Sequence, residues 1–262
     1  MSTSPRVVVH RDKQLLAEAA AARLVTRLVD AQSSRGSATA VLTGGSVGTG
    51  VLAALAASPA RDAVDWSRVD LWWGDERFLP SGDPERNETQ AREALLHRLP
   101  LDPQRVHPMP ASDGPDGDDV DAAAARYADE LAEAARREGA REGVPTIDVL
   151  MLGVGPDAHV ASLFPEMAGV HETERTVIGV HGSPKPPPLR ISLTLPVICS
   201  AQEVWLVVGG EDKAAAVGLA LRGAGAVQAP AAAVSGRRAT LWLLDRAAAA
   251  QVPPALVRLA SP

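Results

Sequence analysis

With 262 residues, 46% of them hydrophobic, the chain can bury an ample core; no composition break divides it, so one domain spanning 1–262 is expected. Its formal net charge of −6 speaks against nucleic-acid binding, which needs a basic stripe, and its single cysteine, Cys199, excludes internal disulfides and a multi-thiolate metal site. No window approaches a membrane span and no signal-peptide pattern opens the chain, so a reducing cytoplasm is the expected setting.

Val7-Val8-Val9 reads as a short strand. Asp12 then caps an Ala-rich helix over 13–31, whose Leu15, Leu16, Ala19, Leu24 and Leu28 fall near helical spacing and cover a sheet. Residues 33–37 read as a turn. The next strand, 39–43, runs into Gly44-Gly45-Ser46-Val47-Gly48-Thr49-Gly50 and a helix over 51–57. In that order of strand, glycine loop and helix, backbone N–H groups and the positive helix end hold an anion. A P-loop is excluded, because Val51-Leu52 stand where Lys-Ser/Thr should close one. Gly44-x-Ser46-x-Gly48 also fits the nucleophile elbow of the α/β-hydrolases, but the last histidines are His171 and His181, and no later one exists to serve the serine.

Residues 69–73 read as a third strand. It ends in Gly74-Asp75-Glu76-Arg77-Phe78, a charge cluster that a solvated loop would also explain. The planar guanidinium of Arg77 suits an anion or a developing oxyanion. A helix is expected over 86–99, with Ala91, Ala94, Leu95 and Leu99 on its apolar side, and a short strand near Val106. Residues 110–117 are turn-rich, and a helix over 118–137 turns Tyr127 and Leu131 inward.

Ile147-Asp148-Val149-Leu150-Met151-Leu152 is a nearly continuous apolar run, the mark of a strand buried on both faces. Gly153-Val154-Gly155-Pro156 breaks it, and Asp157 and His159 follow two residues apart. Ligands of open parallel sheets collect beyond the carboxyl ends of strands, so an imidazole here is well placed for chemistry. At this spacing the acid and the ring can pair or point apart. Residues 176–180 read as a strand, and the proline-rich 181–190 as a stiff extended connector, or as a rim that brings Lys185 or Arg190 to a site. After the strand 203–208, Gly209-Gly210-Glu211-Asp212-Lys213-Ala214 opens a helix to 221. A lysine in a first helical turn opposes the macrodipole unless an anion sits there, and a bound phosphate would be that anion. A helical turn at 230–234, a last strand at 239–244 and a final helix from Asp245 complete the chain. No group of histidines and acids has ligand spacing, so neither metal nor cofactor is expected.

Gly155-x-Asp157-x-His159-x-Ala161-Ser162-Leu163-Phe164-Pro165 resembles the signature of the 6-phosphogluconolactonases, which hydrolyse a sugar-phosphate lactone in the oxidative pentose phosphate pathway. Further segments resemble the family in its order. Gly44, Gly45 and Ser46 match its Gly-Gly-Ser loop, though Val47-Gly48-Thr49 replaces the usual Thr-Pro continuation. Asp75-Glu76-Arg77, followed by Asn87, matches a segment whose arginine stands near the substrate. Arg190-x-Ser192-Leu193-Thr194, the lysine turn at Lys213 and the closing 241–245 match as well. One departure is Ala158, where the family has Gly, which makes a positive φ there less expected.

The resemblance implies a doubly wound, mainly parallel α/β fold with helices on both faces, like the phosphosugar isomerases and deaminases. It implies hydrolysis of 6-phospho-D-glucono-1,5-lactone, with His159, Asp157 and Arg77 catalytic and Gly44, Gly45, Ser46, Asp75, Lys213 and Arg190 holding the substrate and its phosphate. The partner is then a small molecule, without nucleic acid, membrane or an obligate protein. Two alternatives stay open. A glucosamine-6-phosphate deaminase would typically carry Asp-Glu-Tyr and an Asn-Glu-Pro ending, where this chain has Arg77 and Leu163-Phe164-Pro165. A non-catalytic sugar-phosphate sensor of the same fold would usually be fused to a basic DNA-binding module.

Overall fold

The computed structural model describes residues 4–140 and 143–259; the first residues of the expected lead-in lie outside these. Its strands are β1 (Arg6–His10), β2 (Ala38–Leu42), β3 (Val69–Trp73), β4 (Asp75–Arg77), β5 (Val149–Leu152), β6 (Val177–Val180), β7 (Arg190–Leu193), β8 (Glu203–Val208), β9 (Ala239–Asp245) and β10 (Val257–Leu259). Its α-helices are α1 (Lys13–Arg35), α2 (Gly45–Ala57), α3 (Asn87–Ala94), α4 (Val120–Glu138), α5 (Leu195–Ser200) and α6 (Ala214–Leu221).

Seven strands form a parallel sheet in the order β10-β1-β9-β8-β5-β2-β3. Every residue of β2, β5 and β9 is buried, as strands covered on both faces require. The chain moves from β1 to β2 and β3 in one direction, then returns through β5, β8 and β9 in the other. Right-handed crossovers therefore put α1 and α2, which pack together, on one face and the returning connections on the opposite face. The fold is doubly wound α/β, and winding reverses between β2 and β5. There the backbone N–H of Gly153 donates to Thr43 Oγ1 at 3.2 Å and ties the two strand ends together.

A small antiparallel sheet, β4-β7-β6, stands beside the main one. The 74–78 stretch is thus no solvated loop: Asp75 faces Ser192 and Arg77 faces Arg190 across the β4–β7 pairing. Cross-strand partners 113 to 117 residues away, rather than local preference, make this polar segment a strand.

Other boundaries also move. Helix α1 runs through the expected turn to Arg35, where Gly36 ends it in the left-handed conformation, φ 84°. Helix α2 begins at Gly45, so Ser46 to Gly48 belong to its first turn. The expected helix over 86–99 divides into α3 and a 3₁₀ turn, Leu96–Arg98. The Val106 strand is a single bridge to Leu71. No α-helix grows from Asp245. Its carboxylate accepts from Gly210 and Ala248 backbone N–H groups, short 3₁₀ turns follow, and β10, absent from the sequence reading, pairs with β1. The proline-rich 181–190 segment is folded back, not extended, with the Ser183 N–H donating to the Pro188 carbonyl at 3.0 Å.

Strand β3 ends the main sheet, and its outward groups find partners outside it. His107 N–H donates to the Leu71 carbonyl at 2.9 Å. The fully buried Tyr127 of α4 accepts from Trp73 N–H and donates to the His107 carbonyl, both at 3.0 Å. Tyr127→Phe strips a partner from two buried backbone groups, at a cost of about 1–3 kcal/mol. Urea unfolding should show a lower midpoint at unchanged m-value; an unchanged midpoint would mean that water replaces the hydroxyl.

Candidate active site

A cleft of about 300 Å³ opens at the reversal point, over the carboxyl ends of β2, β5 and β8. Gly44, Gly45, Ser46, Asp75, Arg77, His159, Arg190 and Lys213 all line it, so residues scattered through the sequence meet at one place. Asp157 stands behind the His159 ring. Lys185 and Asn87, which the sequence reading named without assigning as site residues, line the cleft too.

Asp157 and His159 do not point apart. His159 Nδ1 lies 2.5 Å from Asp157 Oδ1. An ionised carboxylate only accepts, so Nδ1 carries a proton, and in the neutral ring Nε2 is the nitrogen with the lone pair. Burial of the Asp157 carboxyl works toward a higher pKa, but the hydrogen bond and charge of His159, with Lys185, overcome it and hold the group well below the usual carboxylate range. Lys185 Nζ stands 3.6 Å from Asp157 Oδ1 and 3.4 Å from His159 Nδ1. Phe164 supports the ring, with centroids 4.5 Å apart.

The pair closes over its own backbone. A Cβ on Gly155 would lie 2.0 Å from His159 Nδ1 and 2.3 Å from Asp157 Oδ1, so only glycine allows the contact. The turn also needs Ala158 at φ 67°, contrary to the expectation that alanine would avoid that region. A left-handed conformation costs an L-residue about 1–2 kcal/mol. Two backbone hydrogen bonds, Ala158 N–H to Gly155 O and Ala231 N–H to Ala158 O, and complete burial of the Ala158 methyl hold it there.

On the opposite wall, Gly44 caps α2 with no side-chain hydrogen bond, and the first turn carries no acidic residue. That 13-residue helix turns its amino end toward the cleft. A Cβ on Gly44 would fall 1.8 Å from the Asn87 carboxamide, which fills the space instead. Asn87 Nδ2 donates to the Asp75 carbonyl at 2.8 Å, and Asp75 Oδ2 accepts from Ser162 Oγ at 2.7 Å. Lys213 closes a 3₁₀ turn, Glu211–Lys213, and stands at the N-cap of α6 rather than inside a first turn. Asp212, 3.0 Å from its ammonium, supplies part of the negative charge that the dipole argument assigned to a ligand.

Beneath the site, sequence reasoning passed over Glu76. Its carboxylate is fully buried and accepts from the backbone N–H groups of Arg77, Asn87 and Glu88 at 2.7–2.9 Å. It therefore fixes both Arg77 and the start of α3. Burial pushes this carboxyl up to about 7, against the pull of Arg86 and the three N–H donors. Its position inside a charge cluster gave no sign of burial.

A doubly wound sheet with an acid–imidazole pair and four cations around its switch-point cleft is the build of an α/β enzyme for a small anionic ligand. Sequence comparison makes this specific. The chain matches the family described as glucosamine-6-phosphate isomerases/6-phosphogluconolactonase over residues 11–242, and it belongs to that family. It is 70% identical over 261 residues to the 6-phosphogluconolactonase of Streptomyces coelicolor, covering 100% of both chains. Identity to the 6-phosphogluconolactonase of Mycobacterium tuberculosis is 48% over 250 residues, 95% of this chain and 99% of that one. The solved 6-phosphogluconolactonase of Trypanosoma brucei superposes with a TM-score of 0.80 at 26% identity, covering 97% of this chain and all of the other. A monomeric glucosamine-6-phosphate deaminase, at 19% identity and a TM-score of 0.74, shares the fold.

The Glu76 geometry has a stability signature. Between about 4.5 and 7 the folded chain keeps the Glu76 proton that the unfolded chain gives up. The native state then binds more protons, so this contribution is complete below that window and is lost as pH rises through it. Glu76→Gln, uncharged throughout, should show a flatter dependence of unfolding free energy on pH across the window. Equal slopes in both proteins would assign the dependence to another group.

Proposed function

We propose that this chain hydrolyses 6-phospho-D-glucono-1,5-lactone to 6-phospho-D-gluconate, as a step of the oxidative pentose phosphate pathway in the cytoplasm. The observation that carries the reading is the Asp157–His159 pair facing a cationic cleft, in a chain 70% identical end to end to a 6-phosphogluconolactonase.

Lactone hydrolysis needs an activated water, a proton for the departing ring oxygen and stabilisation of a tetrahedral oxyanion. His159 Nε2 takes the proton from water as its oxygen attacks the carbonyl carbon, and returns it to the ring oxygen as the C–O bond breaks. Asp157 holds the ring through Nδ1–H and stabilises the imidazolium formed between the two transfers. Arg77 faces the developing negative charge. The phosphate lies at the amino end of α2, against Gly44, Gly45 and Ser46, with Lys213 as its cation and Arg190 on the same positive rim. Asp75 accepts a hydrogen bond from a sugar hydroxyl. The reading includes no metal, cofactor, nucleic acid, membrane or obligate protein partner.

A coupled assay, in which a dehydrogenase generates the lactone and acid release is compared with spontaneous hydrolysis, tests the activity. His159→Ala should lower kcat by about 10² to 10⁴-fold with the fold intact and KM little changed. A folded variant with near wild-type kcat would remove the imidazole from the mechanism. Lys213→Ala should raise KM strongly, because a hydrogen bond to a charged group contributes about 1.5–3 kcal/mol. By the same argument unphosphorylated gluconolactone should be a poor substrate, and equal efficiency on both lactones would refute the phosphate site.

A further inference from the structure

We propose that Arg190 is a positioning residue: its guanidinium holds the 183–189 loop so that the Lys185 ammonium stands beside the Asp157–His159 pair. This rests on the lactonase reading above and gives Arg190 a task within the protein.

The loop explains the need. Pro184, Pro186, Pro187 and Pro188 carry no N–H, so the segment has few donors of its own while its carbonyls still require partners. Arg190 supplies them from the start of β7, where it is only 7% exposed. Its Nη2 donates to the Lys185 carbonyl at 3.2 Å and to the Pro186 carbonyl at 3.0 Å, and its Nε donates to the Pro187 carbonyl at 3.3 Å. Three successive carbonyls are thus gathered on one planar group. Ser183 closes the loop from the other side, its Oγ donating to the Lys185 carbonyl at 2.9 Å.

The same guanidinium lies 5.8 Å from the Phe164 ring centroid, and Phe164 is the ring that supports His159. Arg190 therefore fixes the Lys185 backbone relative to the catalytic imidazole. The ammonium stands 3.4 Å from Nδ1, and the Asp157 carboxylate meets the same nitrogen, so the ring sits between two opposite charges. Arg190 and Lys213 are further cations that act on Lys185. A lysine at position 190 would keep the charge, but one ammonium cannot reproduce the fixed fork that spans three carbonyls.

The test compares Arg190→Ala, Arg190→Lys, Lys185→Ala and the double variant Arg190→Ala/Lys185→Ala, by lactone kinetics and by the NMR resonances of the His159 imidazole at one fixed pH. Both Arg190 variants should lose kcat by about ten- to a hundredfold, as displacement of a catalytic neighbour does, with KM changed by less than about threefold in Arg190→Lys, which keeps the charge on the phosphate rim. The double variant should be no slower than Lys185→Ala, because both changes remove one function. The His159 ring resonances should shift in Lys185→Ala and, with the charge at 190 retained, shift in the same way in Arg190→Lys. Wild-type kinetics in Arg190→Lys, multiplied losses in the double variant, a KM effect without a kcat effect, or unmoved His159 ring resonances in Arg190→Lys would each overturn the proposal. If Arg190→Ala fails to fold, Arg190→Gln takes its place in the comparison. A wild-type protein without lactonase activity would refute the function, and the His159 ring resonances would still decide whether Arg190 holds the loop in place.

Discussion

Because the chain winds outward from β2 and returns through β5, no crossover runs over the space between their carboxyl ends. Everything the site contains is delivered into that opening. β2 hands over the start of α2, β5 hands over the Asp157–His159 turn, and β8 brings Lys213 from the far side. The small sheet supplies what the large one cannot reach: β4 and β7 run antiparallel, so Arg77 and Arg190 emerge opposite one another. A parallel sheet collects ligands at such a reversal because strand direction and helix dipoles point the same way there.

Within the opening, backbone proximity matters as much as side-chain chemistry. Gly155 gives its side-chain volume to the acid–imidazole pair, and Gly44 gives its volume to Asn87. Asn87 in turn depends on Glu76, which holds its backbone N–H, and on Asp75, whose carbonyl takes its amide. The charged groups at the surface of the cleft thus rest on a buried polar layer whose members are each hydrogen-bonded. Leaving any of these buried groups without its partner carries a desolvation penalty comparable to a whole hydrogen bond.

The main sheet was largely legible because its inner strands are short apolar runs, and 69–73 and 203–208 were placed to the residue. The small sheet was not, since Asp75-Glu76-Arg77 becomes a strand only through pairing with 190–192. Strand β10 was missed because three residues after a proline-broken stretch carry little periodic signal. At the site, the sequence pointed to the residues that line the cleft, through strand-end position and motif resemblance. It did not reveal Glu76, whose burial depends on packing, nor the Asp157–His159 contact, which forms across a turn that holds Ala158 at φ 67°. The Ala158 expectation failed because the surrounding hydrogen bonds and a buried methyl outweigh an intrinsic preference of about 1–2 kcal/mol.

The place of β1 in the sheet has a further consequence for biosynthesis. Val7 lies between Trp242 on one side and Val257 on the other, so a segment made early finds both its neighbours only among segments made late. During translation its two edges stay unpaired while β2, β3 and β5 can already associate. Such non-local closure slows folding and leaves open strand edges available to other chains. The nascent protein therefore passes through a stage in which half a sheet exists without its rim, and the interval before β9 arrives is when a chaperone has most to protect.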